Sequence, residues 1–310
     1  KKKVSGTGIM LLLTGILFII IRGGVTESTS NVGQAYFSNN QFLNHSAVNP
    51  CFSLLSSMGK SKDFASEFDF FAEEERASLF DGLYPVTDGD SIVEVLNTKK
   101  PNVLLIMMEG FGGVFIEPLG GLSDVAPNLN RLSQEGVFFT NCYANSFRTD
   151  RGTVCTLSGY LGLPTASVMK IPAKSRTLPA ISEELVKAGY QTDFLYGGDI
   201  NFTNMKSYLL SKGYQKLTAD TDFSLAEQAS NVWGVNDDIT ADWLLSQLKE
   251  RQEGPWFTTY LTLSSHEPFD VPYNRLEEKI PNAFAYTDEC LGKLVDGLKQ
   301  SEVWEDLLIV

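Results

Sequence analysis

The sequence predicts an α/β protein, a mainly parallel sheet sandwiched by helices and preceded by one transmembrane helix. Three observations carry that prediction. From Pro101 onward, apolar runs of strand length alternate with stretches of helix length, the pattern that builds parallel sheets. The strand Asn102 to Met108 is apolar after its first residue, as a strand covered on both faces should be. At the N-terminus, Lys1, Lys2 and Lys3 lead an apolar run from Val4 to Ile21 that Arg22 closes. About 18 residues at about 1.5 Å each reach roughly 27 Å, close to the thickness of a bilayer's hydrocarbon core.

Taken in order, the positive-inside rule keeps the lysines cytoplasmic and puts everything after Arg22 outside, a cell-membrane protein with an extracytoplasmic domain. A secretory signal is the rival reading, but the run ends in isoleucines and Arg22-Gly23-Gly24, with no A-x-A-like cleavage site. Because the chain opens on lysine, residues 1–22 are expected to be the last of several spans. Residues 23–98 read as an extracytoplasmic connector with short helices packed against the α/β domain. Its phenylalanines, among them Phe52, Phe64 and Phe68, are too many for a loose linker, and Glu73, Glu74 and Glu75 suit a solvated helix face.

Residues 99–310 form the α/β domain. After Asn102 to Met108 come a second short strand, Val137 to Thr140, and a candidate helix from Arg151 to Tyr160. A helix from Leu178 to Ala188 stops at Gly189, and Gln191 to Tyr196 is the next strand. Helical stretches come next from about Thr203 to Ser211, ended at Gly213, and from Asp237 to Arg251. Trp256 to Leu263 is an aromatic and β-branched strand, Phe284 to Gln300 a helix, and Leu307 to Val310 a last apolar strand.

Composition narrows the function. A net charge of -13 argues against nucleic acid as a partner, since phosphate backbones want a basic face. The four cysteines, Cys51, Cys142, Cys155 and Cys290, form no C-x-x-C pair and no disulfide scaffold. With two histidines, His45 and His266, a site built from several imidazoles is excluded.

Glu109 stands at the carboxyl end of the first strand, where open α/β sheets bind ligands and where a carboxylate suits a hard divalent ion. Its simpler reading is an acid capping the next turn. Forty residues on, Thr149 lies between Arg148 and Arg151 at the mouth of a helix. A hydroxyl there is a candidate nucleophile: helix amides and the two arginines would face the oxygens of a phosphoryl group. The plainer alternative is a helix cap formed by Thr149 or Asp150. His266 comes after the strand Trp256 to Leu263 and is a candidate to bind substrate oxygens or protonate a leaving group, or else an ordinary polar loop residue. Gly197 to Asp199 is a weaker candidate loop, Asp237 and Asp238 read as a helix start, and His45 as structural.

In matching order, PNVLLIMMEG, SFRTDRGTVCTLSGYLGLP, FLYGGDINFTNMKSYLLSKGY, WGVNDD and SSHEPFDVPY resemble the lipoteichoic acid synthase-like branch of the sulfatase/alkaline phosphatase superfamily. The resemblance covers about Pro101 to Val310. It implies an alkaline phosphatase/sulfatase-like fold and a divalent metal ion (manganese, magnesium or zinc). It makes Glu109 a metal ligand, Thr149 both ligand and nucleophile, and His266 the substrate-side histidine. Neither Cys142 nor Cys155 has the C-x-P-x-R context of sulfatases proper, which disfavours sulfate ester hydrolysis. The segment from Tyr196 to Met205 lacks the histidine and Trp-Asn-Arg that grip a phosphoglycerol headgroup in that branch. The family's Asp-His metal pair would fall just past Val310, so the expectation is a catalytic domain truncated at its C-terminus and inactive as it stands.

The function this implies is a membrane-anchored phosphotransferase of the cell envelope. It would move a phosphoglycerol-type or phosphoethanolamine-type headgroup from a phospholipid donor to a glycan or lipid acceptor through a phosphothreonine. The alternatives are a metal-dependent phosphodiesterase and a non-catalytic extracytoplasmic binding or sensor module on the same fold.

Overall fold

A computed structural model describes residues 2–25, 28–58, 63–81, 94–251 and 254–310; the expected connector therefore lies partly outside the described residues. Five parallel strands make one sheet: β1 (Asn102–Met107), β2 (Gln191–Tyr196), β3 (Lys216–Thr218), β4 (Trp256–Leu261) and β5 (Leu307–Ile309). Their order across the sheet is β3-β2-β4-β1-β5. β1 and β4 run side by side, with Val103 opposite Phe257 and Met107 opposite Leu261, so their carboxyl ends open together.

The strand period of two sorts side chains onto two cores. Leu104, Leu195, Trp256 and Tyr260 face the helices Asp237–Glu250 and Lys279–Lys299, whose Leu244, Leu248, Leu294 and Leu298 are buried against them. Phe194, Phe257 and Leu261 face the helices Thr149–Ser158 and Met205–Ser211, through Val154, Leu157, Met205 and Leu209. Every residue of β4 is buried, as befits the central strand.

Where the elements differ from expectation, the backbone gives the reason. Val137 to Thr140 is not a strand: it pairs with none of the described strands, β1 already having β4 and β5 as neighbours, and Val137 and Phe139 stay exposed. The helix expected from Leu178 starts at Ile181, because Pro179 excludes Leu178 from the helical region. The stretch from Thr203 becomes a helix only at Met205, since Thr203 and Asn204 sit at φ of 57° and 67°. Lys279–Lys299 begins five residues before Phe284, with Pro281 in a first turn that has no amide bond to lose. The helix Pro127–Glu135 and the three-residue β3 escaped the sequence reading.

The helix Lys2–Arg22 is long and apolar enough, from Lys3 to Arg22, to cross a membrane, and none of it is buried in the fold. After it the chain is tied to the α/β domain: Asn31 Nδ2 donates to the Asn201 carbonyl at 2.8 Å and Gly33 N–H to Asn204 Oδ1 at 3.3 Å. The helices Pro50–Met58 and Glu73–Asp81 contain no buried residue.

Leu104, fully buried at the sheet centre, and Val137, 69% exposed, make a direct comparison. Leu104→Ala should cost about 2–5 kcal/mol of unfolding free energy. Val137→Ala should stay within about 0.5 kcal/mol. Chemical denaturation in detergent would measure both, and a costly Val137→Ala would mean that this segment is paired after all.

Candidate active site

The two central strands deliver their next residues to one place. β1 leads through Met108 to Glu109 and then to Gly110, whose φ of 67° turns the chain away. Beyond β4, Thr262 N–H still donates to the Met107 carbonyl at 3.0 Å, and residues 263–266 then leave the sheet to strap that turn. Glu109 N–H donates to Thr262 Oγ1 at 2.8 Å, and Ser265 Oγ donates to the Glu109 carbonyl at 2.5 Å. This is why β4 ends at Leu261, two residues short of the expected Leu263.

The strap is itself held from behind by Asp237. This carboxylate, 1% exposed, accepts Leu263 N–H at 2.7 Å, Ser264 N–H at 3.0 Å and the Thr287 hydroxyl at 2.8 Å. Its own N–H donates to Ser264 Oγ at 2.8 Å. Asp237 does start a helix, as expected, but its side chain has a second task that the sequence does not mark: Asp238, beside it, is exposed. Burial pushes the Asp237 carboxyl above the usual range, more than its donors bring it down.

Opposite Glu109, the helix Thr149–Ser158 begins at Thr149. Thr149 Oγ1 donates to Glu109 Oε2 at 2.7 Å, so the hydroxyl serves the carboxylate and not a helix cap. The residue before it, Arg148, makes no side-chain cap either; Arg151 N–H donates to Asp150 Oδ1 at 3.1 Å, while the amides of Thr149 and Asp150 have no partner among the described residues. Burial raises the Glu109 carboxyl above its ordinary range, against the opposing pull of the Thr149 hydroxyl and of nearby His266. Asp150, buried, would set a negative charge next to Thr149, but Lys170 Nζ lies 3.5 Å from its carboxylate.

A cavity of about 520 Å³ opens at this point, lined among others by Glu109, Phe147, Arg148, Thr149, Gly152 and Thr156. Gly152 and Thr156 are three and seven residues past Thr149, the same helix face. Arg148 is exposed on the cavity wall. Arg151 is not brought there. Two helical steps turn it roughly 200° from Thr149, and Nη1 donates to the Pro164 carbonyl at 3.0 Å. His266 lies close enough for its charge to act on Glu109, with its ring against Trp233 at 4.6 Å between centroids. The structure thus gathers Glu109, Thr149 and Arg148 at the cavity, with His266 near Glu109 but outside the cavity lining. The Gly197 to Asp199 turn stands apart, its Asp199 carboxylate accepting from Asn201 N–H at 2.8 Å.

Glu109 and Thr149 offer two hard oxygen donors side by side, the right chemistry for a divalent cation. Among the described residues no group of three or more His, Cys, Asp and Glu side chains is placed to hold a metal ion. The pair therefore fits such an ion as two of its ligands.

Comparison with known proteins gives this geometry a setting. The sulfatase family profile matches residues 101–310, more than half of the chain. A lipoteichoic acid synthase from Staphylococcus saprophyticus is 26% identical over a 234-residue alignment, covering 68% of this chain and 35% of that protein. The chain thus spans about a third of the length of the curated relatives it matches. An alkaline phosphatase superfamily protein from Vibrio parahaemolyticus superposes with a TM-score of 0.64 at 30% identity, over 68% of this chain and 53% of its own. An integral membrane lipooligosaccharide phosphoethanolamine transferase from Neisseria meningitidis shares the fold over 99% of this chain and 53% of its own, with a TM-score of 0.51 and 13% identity.

The Asp237 network makes two measurable statements. Asp237→Ala leaves three buried donors without an acceptor, and should cost at least about 2 kcal/mol. The pH dependence runs the other way from a salt-bridged acid. With the folded carboxyl raised, its contribution to stability is complete below the unfolded value of about 3.9 and is lost as pH rises through the folded value. Over that window, denaturation midpoints of the wild type should fall with pH more steeply than those of Asp237→Asn; equal slopes would contradict the raised carboxyl.

Proposed function

The chain belongs to the sulfatase family, and on that premise we propose that it is the membrane-anchored part of a phosphotransferase whose nucleophile is Thr149. The reaction is the transfer of a phosphoglycerol-type or phosphoethanolamine-type headgroup from a phospholipid to a hydroxyl of a glycan or lipid acceptor. What carries the reading is one contact, the 2.7 Å hydrogen bond from Thr149 Oγ1 to Glu109 Oε2 at the carboxyl ends of the central strands. The phosphotransferase names among the relatives support it, as does a candidate membrane span that would keep a lipid donor within reach.

In the first half-reaction Thr149 Oγ1 attacks the phosphorus, its proton leaving along the hydrogen bond to Glu109. The bond from phosphorus to the lipid oxygen breaks, and His266 gives that oxygen a proton. The amides of Thr149 and Asp150 and the Arg148 side chain face the phosphoryl oxygens as charge builds there. In the second half the acceptor hydroxyl attacks the phosphothreonine, His266 takes its proton, and Thr149 recovers its own from Glu109. Metal dependence is general in this superfamily, and a divalent cation held by Glu109 and Thr149 would supply Lewis-acid polarisation at the phosphoryl group and a more acidic Thr149 hydroxyl. Arg151, held at Pro164, has no part in this scheme as placed.

In the complete protein, Thr149→Ala should abolish transfer of label from a headgroup-labelled phospholipid, while wild type should carry the label on Thr149 when acceptor is withheld. Full transfer by the alanine variant would remove the reading. Glu109→Gln should weaken binding of Mn2+ alone roughly ten-fold or more, measured by titration calorimetry. Unchanged affinity would take Glu109 out of the ligand set.

A further inference from the structure

Past the end of β4, one backbone carbonyl serves two side-chain nitrogens. The Glu267 carbonyl accepts the indole N–H of Trp233 at 2.6 Å and lies 2.7 Å from Nδ1 of His266. A carbonyl oxygen has no proton to give, so Nδ1 must carry one. The indole also packs against the imidazole, with planes tilted by 60°, and Phe202 backs the indole at 6.0 Å between centroids. Trp233 is anchored in turn: its backbone N–H donates to Asn231 Oδ1 at 3.0 Å, and Asn231 Nδ2 donates to Asn236 Oδ1 at 3.0 Å, one residue before Asp237. No hydrogen bond reaches Nε2 of His266 from the described residues.

We propose that Trp233 is a positioning residue that, through the shared Glu267 carbonyl, locks His266 in its Nδ1–H form, so that the proton exchanged with substrate moves only on and off Nε2. The inference rests on the proton-transfer role given to His266 above. As the lipid oxygen leaves phosphorus and the Thr149 Oγ1–phosphorus bond forms, Nε2–H of the imidazolium gives that oxygen its proton, and the Thr149 proton passes to Glu109. The ring is left neutral, with Nδ1–H bonded to Glu267 and a lone pair on Nε2. The acceptor hydroxyl then gives its proton to that lone pair as its oxygen bonds to phosphorus. The Thr149 Oγ1–phosphorus bond breaks, and Oγ1 takes its proton back from Glu109. A neutral ring in the other tautomer would present N–H where the second step needs a base.

The chain has two histidines, so isotope-labelled histidine gives two ring systems in the NMR spectrum, and His266→Gln identifies the one that matters. In the detergent-solubilised protein, with the ring neutral, wild type should show a protonated Nδ1 and an unprotonated Nε2. Trp233→Ala should shift both resonances toward the mixed values of free imidazole. Trp233→Phe, which keeps a packed ring and removes the N–H, should fall between. An Nε2–H tautomer in wild type, or a Trp233→Ala spectrum identical to wild type, would overturn the proposal. In the transfer assay Trp233→Ala should lower kcat roughly ten-fold with KM little changed, a part of the roughly 100- to 10,000-fold that a positioned acid–base group contributes. An unaltered kcat beside a shifted tautomer would equally overturn it. A tautomer that shifts as expected in a protein that transfers no label supports the lock and removes the transferase reading instead.

Discussion

A buried carboxylate with no cation beside it among the described residues holds this site together. Asp237 accepts two backbone amides and a hydroxyl, and each donor comes from a piece of chain the site needs fixed. Two belong to the strap after β4, and the third belongs to the long helix Lys279–Lys299 under the sheet. Leaving such a group in a dry interior is costly unless every lone pair is used. The cost is offset only when Leu263, Ser264 and Thr287 are all in place, so the strap has one arrangement and Glu109 inherits it through Thr262 and Ser265.

Much of this was legible in the sequence, for definite reasons. Strands buried between helices must be apolar and short, and Asn102–Met107 and the aromatic, β-branched Trp256–Leu261 announce themselves that way. Glu109 and Thr149 were legible because each breaks a local pattern, an acid closing an apolar run and a hydroxyl between two arginines. Strand pairing was not legible. Val137 to Thr140 has the composition of a strand, but composition does not say what a segment will pair with, and here it joins none of the described strands. Nor could spacing tell Arg148 from Arg151. Helical phase separates them, and phase is known only once the helix start is fixed at Thr149. Asp237 and Trp233 were invisible as site residues because their partners, Leu263, Ser264 and Glu267, lie about thirty residues away and act largely through backbone groups that carry no sequence signature.

The electrostatic setting resolves an apparent conflict. A chain with a net charge of -13 is a poor match for an anionic headgroup at long range. Close in, the balance is different. Asp150, next to Thr149 in the chain, is paired with Lys170, Arg148 is exposed at the cavity, and the amides of Thr149 and Asp150 have no partner among the described residues. Such short-range attraction survives physiological salt better than a global field would. It suits a ligand delivered by confinement to a surface, which an apolar helix such as Lys3–Arg22 can provide, better than one captured from bulk solution.

Thr149 stands at the first position of its helix, where its own amide and that of Asp150 have no partner among the described residues. A phosphoryl group on Oγ1 would lie in the path of those amides, its charge met whether or not a second substrate is present. The consequence is one of timing. If the proposed transfer holds, donor and acceptor need never occupy the cavity together, so a single opening of about 520 Å³ would serve a lipid and then a bulky glycan in turn. In the proposed transfer the helix start would provide a place to wait: a loaded threonine would decouple the supply of headgroups from the growth of whatever receives them.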